Sequence, residues 1–551
     1  MIFSNFKKLI IAAVVILIFS GFFTGKDDVY FEIAKNIDLF GRVYKEVTFN
    51  YVDKIDPEEF MRAGIKGMLG ALDPYTIFID ENKKEDFDLI TNGKYGGVGI
   101  SIGVRGDKVT VVEVFDGYSA QKQGVRVGDN LIEVAGNKIT PENVNEISSL
   151  VKGQPGTIIN IKVLRDNKKD TLSFNLVRQE VLVKSLAYAG FYPKNSNNVY
   201  LRLTNFSRSA SDEVLQALKK LKSEKEIKSV VLDLRGNPGG LLDVAVDICD
   251  KFLQKNELVV STKGRDEASK KSYYSTQEPM LGNAKLVVLI DEGSASASEI
   301  VAGAIQDHDR GVLLGTKSFG KGLVQTITPL DYKTSLKITT AKYYTPSGRC
   351  IQKIDYANHN KAVTEIDSVV KNTFYTDHKR IVYSAGGITP DTTVPYSIEG
   401  DITKDLLAKG LFFQFADHYY YANSKEDFSS INDEKLFEDF GKYLDEQKYK
   451  FKSPEETDVD LLLAEVKTKK MNNSIYENLE KVKHQFENLG DNDLKKYKKE
   501  IIEEIKIELA SRYLGNDGEI EQILSDDIQF KTALNILSEP KIYDKLLNLK
   551  N

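Results

Sequence analysis

Twice in this chain a short, almost wholly apolar run of strand length ends in a small-residue turn and gives way to a helical pattern. Val230-Val-Leu-Asp-Leu234 enters Arg235-Gly-Asn-Pro-Gly-Gly240 and the helical stretch Leu241–Leu253, and Leu286-Val-Val-Leu-Ile290 enters Asp291-Glu-Gly-Ser-Ala-Ser296 and the stretch Glu299–Gln306. A continuous hydrophobic run marks a strand buried on both faces, and such strands belong to parallel sheets covered by helices. Both turns then fall at the carboxyl ends of strands, where open α/β sheets bind ligands.

At 551 residues the chain exceeds what one core can organise, so three or four domains are expected. Lys+Arg total 75 against Asp+Glu 81, a near balance that gives no electrostatic reason to expect nucleic acid. Two cysteines, Cys249 and Cys350, cannot build a disulfide framework, and five histidines with no H-E-x-x-H leave no metal pattern. No cofactor is expected. In residues 1–26, Lys7 and Lys8 precede the apolar run Leu9–Phe23. That length suits a signal peptide or signal anchor, with the rest exported to the periplasm, soluble or membrane-anchored.

Residues 27–93 read as helical, a cap whose sharper alternative is a homodimerisation arm. Residues 94–180 alternate short β-rich runs with glycine turns. Their order, Tyr95-Gly-Gly-Val-Gly-Ile100, then Ala120 to Asp129, then Ile132 to Asn137, resembles a PDZ domain. The resemblance implies binding of a peptide C-terminus as an added strand, with Gly96, Gly97, Val98, Gly99 and Ile100 as the gripping segment. Residues 181–395 carry the α/β pattern. Residues 396–551 are charge-rich and helical, with a helix start at Ser453-Pro-Glu-Glu456 and an apolar stripe of Ile501, Ile505 and Leu509.

Chemistry concentrates at the second turn. Ser294, Ser296 and Ser298 compete there, and Ser296-x-x-Glu299 reads equally as a helix capping box. A helix N-terminus supplies N–H groups and positive dipole that would stabilise an oxyanion beside a serine. His308, twelve residues on, would lie roughly 18 Å along a continuous helix, and Asp307 about 16 Å, so neither reaches Ser296. Lys321, in Gly320-Lys-Gly322 beside Phe319, Leu323 and Val324, fits a desolvated general base. With Leu323–Ile327 as a strand, residues 321, 323 and 325 share a face, so Gln325 could aim the amine at Ser296. The bland reading of a lone lysine is a solvated surface charge.

Gly236-Asn-Pro-Gly-Gly240, Gly293-Ser-Ala-Ser-Ala-Ser-Glu-Ile300, Gln306-Asp307, Phe319-Gly-Lys-Gly322 with Gln325, and Tyr343-Tyr-Thr-Pro-Ser-Gly348 occur in this order. Together they resemble the carboxy-terminal processing peptidases, or tail-specific proteases, over about residues 60–395. The resemblance implies a crotonase-like α/β peptidase core with an inserted PDZ domain, an N-terminal helical region and a C-terminal helical extension. It implies Ser296 as nucleophile, Lys321 as general base, Gln325 as its orienting partner, and oxyanion donors at Ala297 and at Gly239 or Gly240. It further implies that substrates are protein or peptide C-termini. Lys152 stands where such enzymes commonly carry an arginine at the end of the PDZ helix, so coupling between tail binding and activation is open. The alternatives are an inert PDZ scaffold and a crotonase-type acyl-thioester enzyme, which fold alone does not separate. The C-terminal helices are expected to dock an adaptor or activator, or to cover the active site.

Overall fold

The computed structural model describes residues 27–80, 93–165, 171–332, 334–356, 372–384, 386–396, 398 and 400–549. The segment expected to be an export signal or anchor, residues 1–26, lies outside the described residues. Among these, no helix is long and apolar enough to cross a membrane. The chain divides into two compact units.

Of the described residues, the smaller unit holds 27–80, 325–332, 334–339 and Tyr356. Its first helix, Asp27–Asn50, exposes Val29, Phe31, Ile33, Ile37 and Val43. Its second, Pro57–Gly70, starts where the Asp56 carboxylate accepts from the Glu58 and Glu59 amides with proline in the first turn, a cap that satisfies otherwise orphan N–H groups. The strand Ile77–Ile79 then pairs antiparallel with Ser335–Lys337.

The larger unit contains three cores. In the first, five main strands (Ile100–Arg105, Lys108–Val114, Asn130–Val134, Ile158–Leu164, Thr171–Val177) and the helix Val144–Val151 enclose Val98, Val111, Ala120, Val134, Ile161 and Leu176. A short strand, Lys94–Gly97, closes the domain by pairing with Gln179–Leu182.

The second core is built on a six-stranded sheet. Asn198–Leu203, Ser229–Asp233, Lys285–Ile290, Val312–Gly315 and Thr392–Thr393 run parallel, and Leu186–Phe191 adds an antiparallel edge. Side chains alternate across a strand, so Leu201, Val230, Leu232, Leu286, Val288 and Leu313 face one side. There they meet the helices Ala210–Glu224, Leu242–Cys249 and Ala297–Asp307. The helix Leu242–Cys249 is shorter than the Leu241–Leu253 span suggested by its apolar pattern, and Phe252 and Leu253 continue that buried face as turns.

Tyr200, Val231, Val287, Leu289, Val312 and Leu314 face the other side of the sheet. They are covered by Ile520, Leu524, Phe530, Ala533, Ile536, Leu537 and Tyr543 from the end of the chain. The C-terminal helical extension is thus tied into the fold: its last helices, Ile528–Ser538 and Pro540–Leu546, cover one face of the six-stranded sheet. The reason is the even hydrophobicity of the strands, which leaves a second apolar face that must be buried.

Ile501, Ile505 and Leu509 lie in the third core, with Phe412, Phe415 and Phe440. One long helix, Lys498–Asp526, serves both this bundle and the sheet because its backbone breaks at Gly515, whose φ of 73° is open to glycine. The same bundle seats the PDZ-like domain. The Arg105 guanidinium lies over the Phe413 ring, Arg126 over Tyr421, and Asn516 donates to Glu113 at 3.1 Å.

Candidate active site

The strand Lys285–Ile290 ends in a turn folded around one carboxylate. Asp291 Oδ1 accepts from the amides of Gly236 (2.8 Å), Gly293 (2.9 Å) and Ser294 (3.1 Å), which ties the serine turn to the glycine turn of the neighbouring strand. Two of the three serines are fully buried and occupied: Ser294 Oγ donates to the Leu234 carbonyl at 2.8 Å and Ser298 Oγ to the Asn237 carbonyl at 2.9 Å. Ser296 is partly exposed and sits at φ 55°, ψ −110°, just before the helix Ala297–Asp307. A positive φ is costly for a serine and persists only where surroundings enforce it.

The enforcing group is Glu299, whose side chain is fully buried. Its Oε2 accepts from the amides of Ser296 and Lys321, both at 2.9 Å, and its Oε1 from the Gly320 amide at 2.8 Å and Ser318 Oγ at 2.5 Å. One carboxylate oxygen therefore joins the main chain of Ser296 to that of Lys321. Burial pushes the Glu299 carboxyl up to about 7, and these donors only partly offset it. The capping-box spacing signalled the bond to Ser296. The bonds to residues 318–321 carry no sequence signal, because they depend on a loop brought back by tertiary folding.

Lys321 is partly buried, in a loop clipped to residues 352–353. The Gly322 amide donates to Gln352 Oε1 at 2.7 Å and the Lys353 amide to the Gly320 carbonyl at 2.8 Å. The buried Tyr343 hydroxyl donates to the Ser296 carbonyl at 3.3 Å, which adds a fixed wall behind the serine. Gln325 stands in the strand Leu323–Pro329, and its Nε2 donates to Thr339 Oγ1 at 3.2 Å.

Gly239 lies against the serine turn, at φ 98°. A Cβ there would lie 2.6 Å from the Ala295 carbonyl oxygen, 2.8 Å from the Ala297 nitrogen and 2.9 Å from Ser296 Cβ, so only glycine fits. Its amide donates to Asn237 Oδ1 at 2.9 Å, and Gly240 beside it is exposed.

At the far end of the serine helix, His308 caps the C-terminus, with Nδ1 2.8 Å from Asp377 and Nε2 2.8 Å from the Leu258 carbonyl. Asp307 pairs with the buried Arg349 guanidinium at 2.7 Å. Both residues are engaged in the scaffold, away from Ser296.

In the PDZ-like domain, Gly96 and Gly97 belong to the strand Lys94–Gly97, Val98 and Gly99 form the link that follows, and Ile100 opens the next strand. Packing also demands these glycines. A Cβ on Gly96 would fall 1.9 Å from the Gly153 carbonyl oxygen, and one on Gly99 2.3 Å from Tyr118 Cβ. Lys152 follows the helix Val144–Val151, yet the guanidinium at that helix end belongs to Arg178. Arg178 donates to the carbonyls of Leu150 (2.6 Å) and Val151 (3.1 Å), a position favoured by the helix dipole. Sequence distance hid Arg178, which lies in the link between the strands Thr171–Val177 and Gln179–Leu182.

Sequence profiles described as Peptidase family S41, PDZ domain, and Probable PDZ-protease, C-terminal helical domain, match residues 197–360, 96–176 and 402–537. The Carboxy-terminal-processing protease of Bartonella bacilliformis is 38% identical over 323 residues, 58% of this chain and 73% of its own length. The chain belongs to the carboxy-terminal processing proteases of peptidase family S41. It is a serine protease, not an inert scaffold. A second relative of this protease, Carboxy-terminal processing protease CtpB of Bacillus subtilis, is 29% identical over 79% of this chain and 89% of its own. Among solved structures, the photosystem II D1 C-terminal processing protease aligns at 24% identity and TM-score 0.34 over 64% of this chain and 85% of its own, a level that bears on neither fold nor function.

Proposed function

We propose that this protease takes protein C-terminal tails at its PDZ domain and cleaves them with a Ser296–Lys321 dyad. The observation that supports the reading is Glu299 Oε2, which accepts from the amides of Ser296 and Lys321 alike and so ties their main chains to one oxygen. In its neutral form the Lys321 amine takes the Ser296 proton as Oγ adds to the scissile carbonyl. The resulting ammonium returns that proton to the departing amine, and water then releases the acyl-enzyme by the same steps.

The oxyanion faces the amide of Ala297 at the helix N-terminus and one amide of the glycine turn. Because the Gly239 amide is given to Asn237, Gly240 is the stronger candidate for that second donor. Gln325 is carried over from the family pattern as the partner that orients Lys321. Residues 96–100 would pair with the substrate tail as a strand and receive its carboxylate. The Leu9–Phe23 run supports export to the periplasm, cleaved or retained as an anchor, and the exposed apolar residues of Asp27–Asn50 support a homodimer arm.

The test is cleavage of an unfolded reporter with an apolar free C-terminus. Ser296→Ala and Lys321→Ala are each expected to lower kcat at least about 10³-fold while the variants stay folded and still bind the tail. Retained cleavage in either variant sinks the dyad. Equal cleavage of a C-terminally amidated reporter sinks tail recognition.

A further inference from the structure

The glycine turn beside Ser296 begins immediately after Arg235, and Arg235 is held from the far end of the chain. Its Nη2 lies 2.6 Å from Asp233 Oδ2 and 2.7 Å from Asp527 Oδ2, and its Nη1 donates to Gln529 Oε1 at 2.9 Å. Asp233, Asp527 and Gln529 are each 4% exposed or less. The Tyr200 hydroxyl completes the cluster by donating to Asp233 Oδ2 at 2.6 Å.

Asp527 and Gln529 are themselves fixed. Asp527 Oδ1 caps the helix Ile528–Ser538 by accepting from the amides of Gln529 (2.8 Å) and Phe530 (3.0 Å). Gln529 Nε2 donates to the Val394 carbonyl at 2.6 Å, and Val394 follows the last sheet strand. The start of this helix is thus bolted to the sheet edge and, through a guanidinium, to the residue that launches the glycine turn.

We propose that Arg235 is a positioning residue for the oxyanion turn and that Asp527 and Gln529 of the C-terminal helical region hold it in register. The proposal rests on the reading that the Gly236–Gly240 turn supplies an oxyanion donor. A buried guanidinium keeps one geometry only while its planar fork is matched by acceptors. Asp233 alone fixes Arg235 to its own strand, and the two C-terminal acceptors fix its other edge. Loss of the Asp527 charge lets the fork rotate and moves the Gly236 end of a turn whose other end sits against the serine. Misplacement of an oxyanion donor lowers transition-state stabilisation and leaves ground-state binding intact. On this view the helical region is part of the catalytic scaffold of the protease.

The experiment uses the full chain. Asp527→Asn retains Oδ1 as helix cap and removes the charge facing Arg235. Ile536→Val loosens the same helix by packing alone. Both are compared by thermal unfolding, by kcat and KM on the reporter, and by inhibition with a peptidyl aldehyde whose hemiacetal oxygen would occupy the oxyanion site. Asp527→Asn is expected to lower kcat about tenfold with KM within twofold, and to weaken the aldehyde by a similar factor. Ile536→Val, at equal loss of Tm, is expected to leave kcat within twofold. Equal kcat in the two variants, or a change in KM alone, overturns the proposal. If Asp527→Asn does not fold, Gln529→Glu, which keeps an acceptor for Arg235 and loses only the bond to the Val394 carbonyl, is compared with Gln529→Met, which loses both. About a threefold lower kcat is expected for Gln529→Met alone, and equal kcat in the two overturns the proposal. Reporter cleavage that survives Ser296→Ala marks failure of the dyad reading instead, which these variants leave untouched.

Discussion

The two faces of the central sheet are buried equally well but by helices of different origin. One face meets helices that follow their own strands in sequence, among them Ala297–Asp307 behind Ser296. The other meets helices that arrive more than two hundred residues later, through Phe530, Ile536 and Tyr543. Local connection makes the first face a set of strand–turn–helix units, whose turns hold Ser296 and the glycines proposed to act with it. From the second face Asp527 and Gln529 reach across to Arg235 at the root of one of those turns. On the proposal for Arg235, covering the sheet and positioning the glycine turn are one task in this chain.

The contrast can be broken most forcefully on the distal face. Phe530 is buried against Tyr192 and Tyr200, with ring centroids 5.5 and 5.3 Å away. Phe530→Ala is expected to cost about 3–5 kcal/mol, read by denaturant unfolding. A loss below about 1 kcal/mol would show that the C-terminal helices are dispensable to the sheet.

On the proximal face the telling group is Glu299. Its carboxyl is raised by burial from 4.5 to about 7. A raised carboxyl favours the folded state while protonated, so that contribution is fully present below the ordinary value and is lost as pH rises through about 7. Wild type should therefore lose roughly 3 kcal/mol relative to Glu299→Gln between pH 4.5 and 8, visible as converging or crossing Tm–pH curves. Parallel curves would mean that the carboxylate is not desolvated as its burial indicates. The ionised form that costs stability is the one that can accept all four donors around Ser296 and Lys321.

The finest cut separates two adjacent valines. Val287 and Val288 are both fully buried in one strand and point to opposite faces. Each Val→Ala change should cost about 2 kcal/mol. A much smaller cost at Val287, seen as a smaller drop in Tm, would reveal a looser distal face.

Much of the proximal side was legible from sequence because its determinants are local. Continuous apolar runs marked Ser229–Asp233 and Lys285–Ile290 as buried parallel strands, and the turns that follow had to lie at their carboxyl ends. Apart from the family resemblance, which pointed to Ser296, the choice among Ser294, Ser296 and Ser298 was not legible. It turns on which hydroxyls are spent on the carbonyls of Leu234 and Asn237, and those belong to another strand's turn. Glu299 was read as half of a capping box, since only a folded loop could bring Ser318, Gly320 and Lys321 to the same carboxylate.

The C-terminal region shows the same limit more sharply. Its charge and helical period described its surface and its stripe of Ile501, Ile505 and Leu509 correctly, but its period could not say which apolar face it would cover. By itself the sequence determined the buried strands Ser229–Asp233 and Lys285–Ile290 and the residue types at the serine, lysine and glycine turns, because periodicity, turn chemistry and strand burial act over a few residues. Only the tertiary structure decided which groups meet: Glu299 with Lys321, Arg178 with the end of the PDZ helix, Asp527 with Arg235. Such pairings depend on long-range closure of the chain, and a buried charge finds its partner only once the surrounding core has removed water from both.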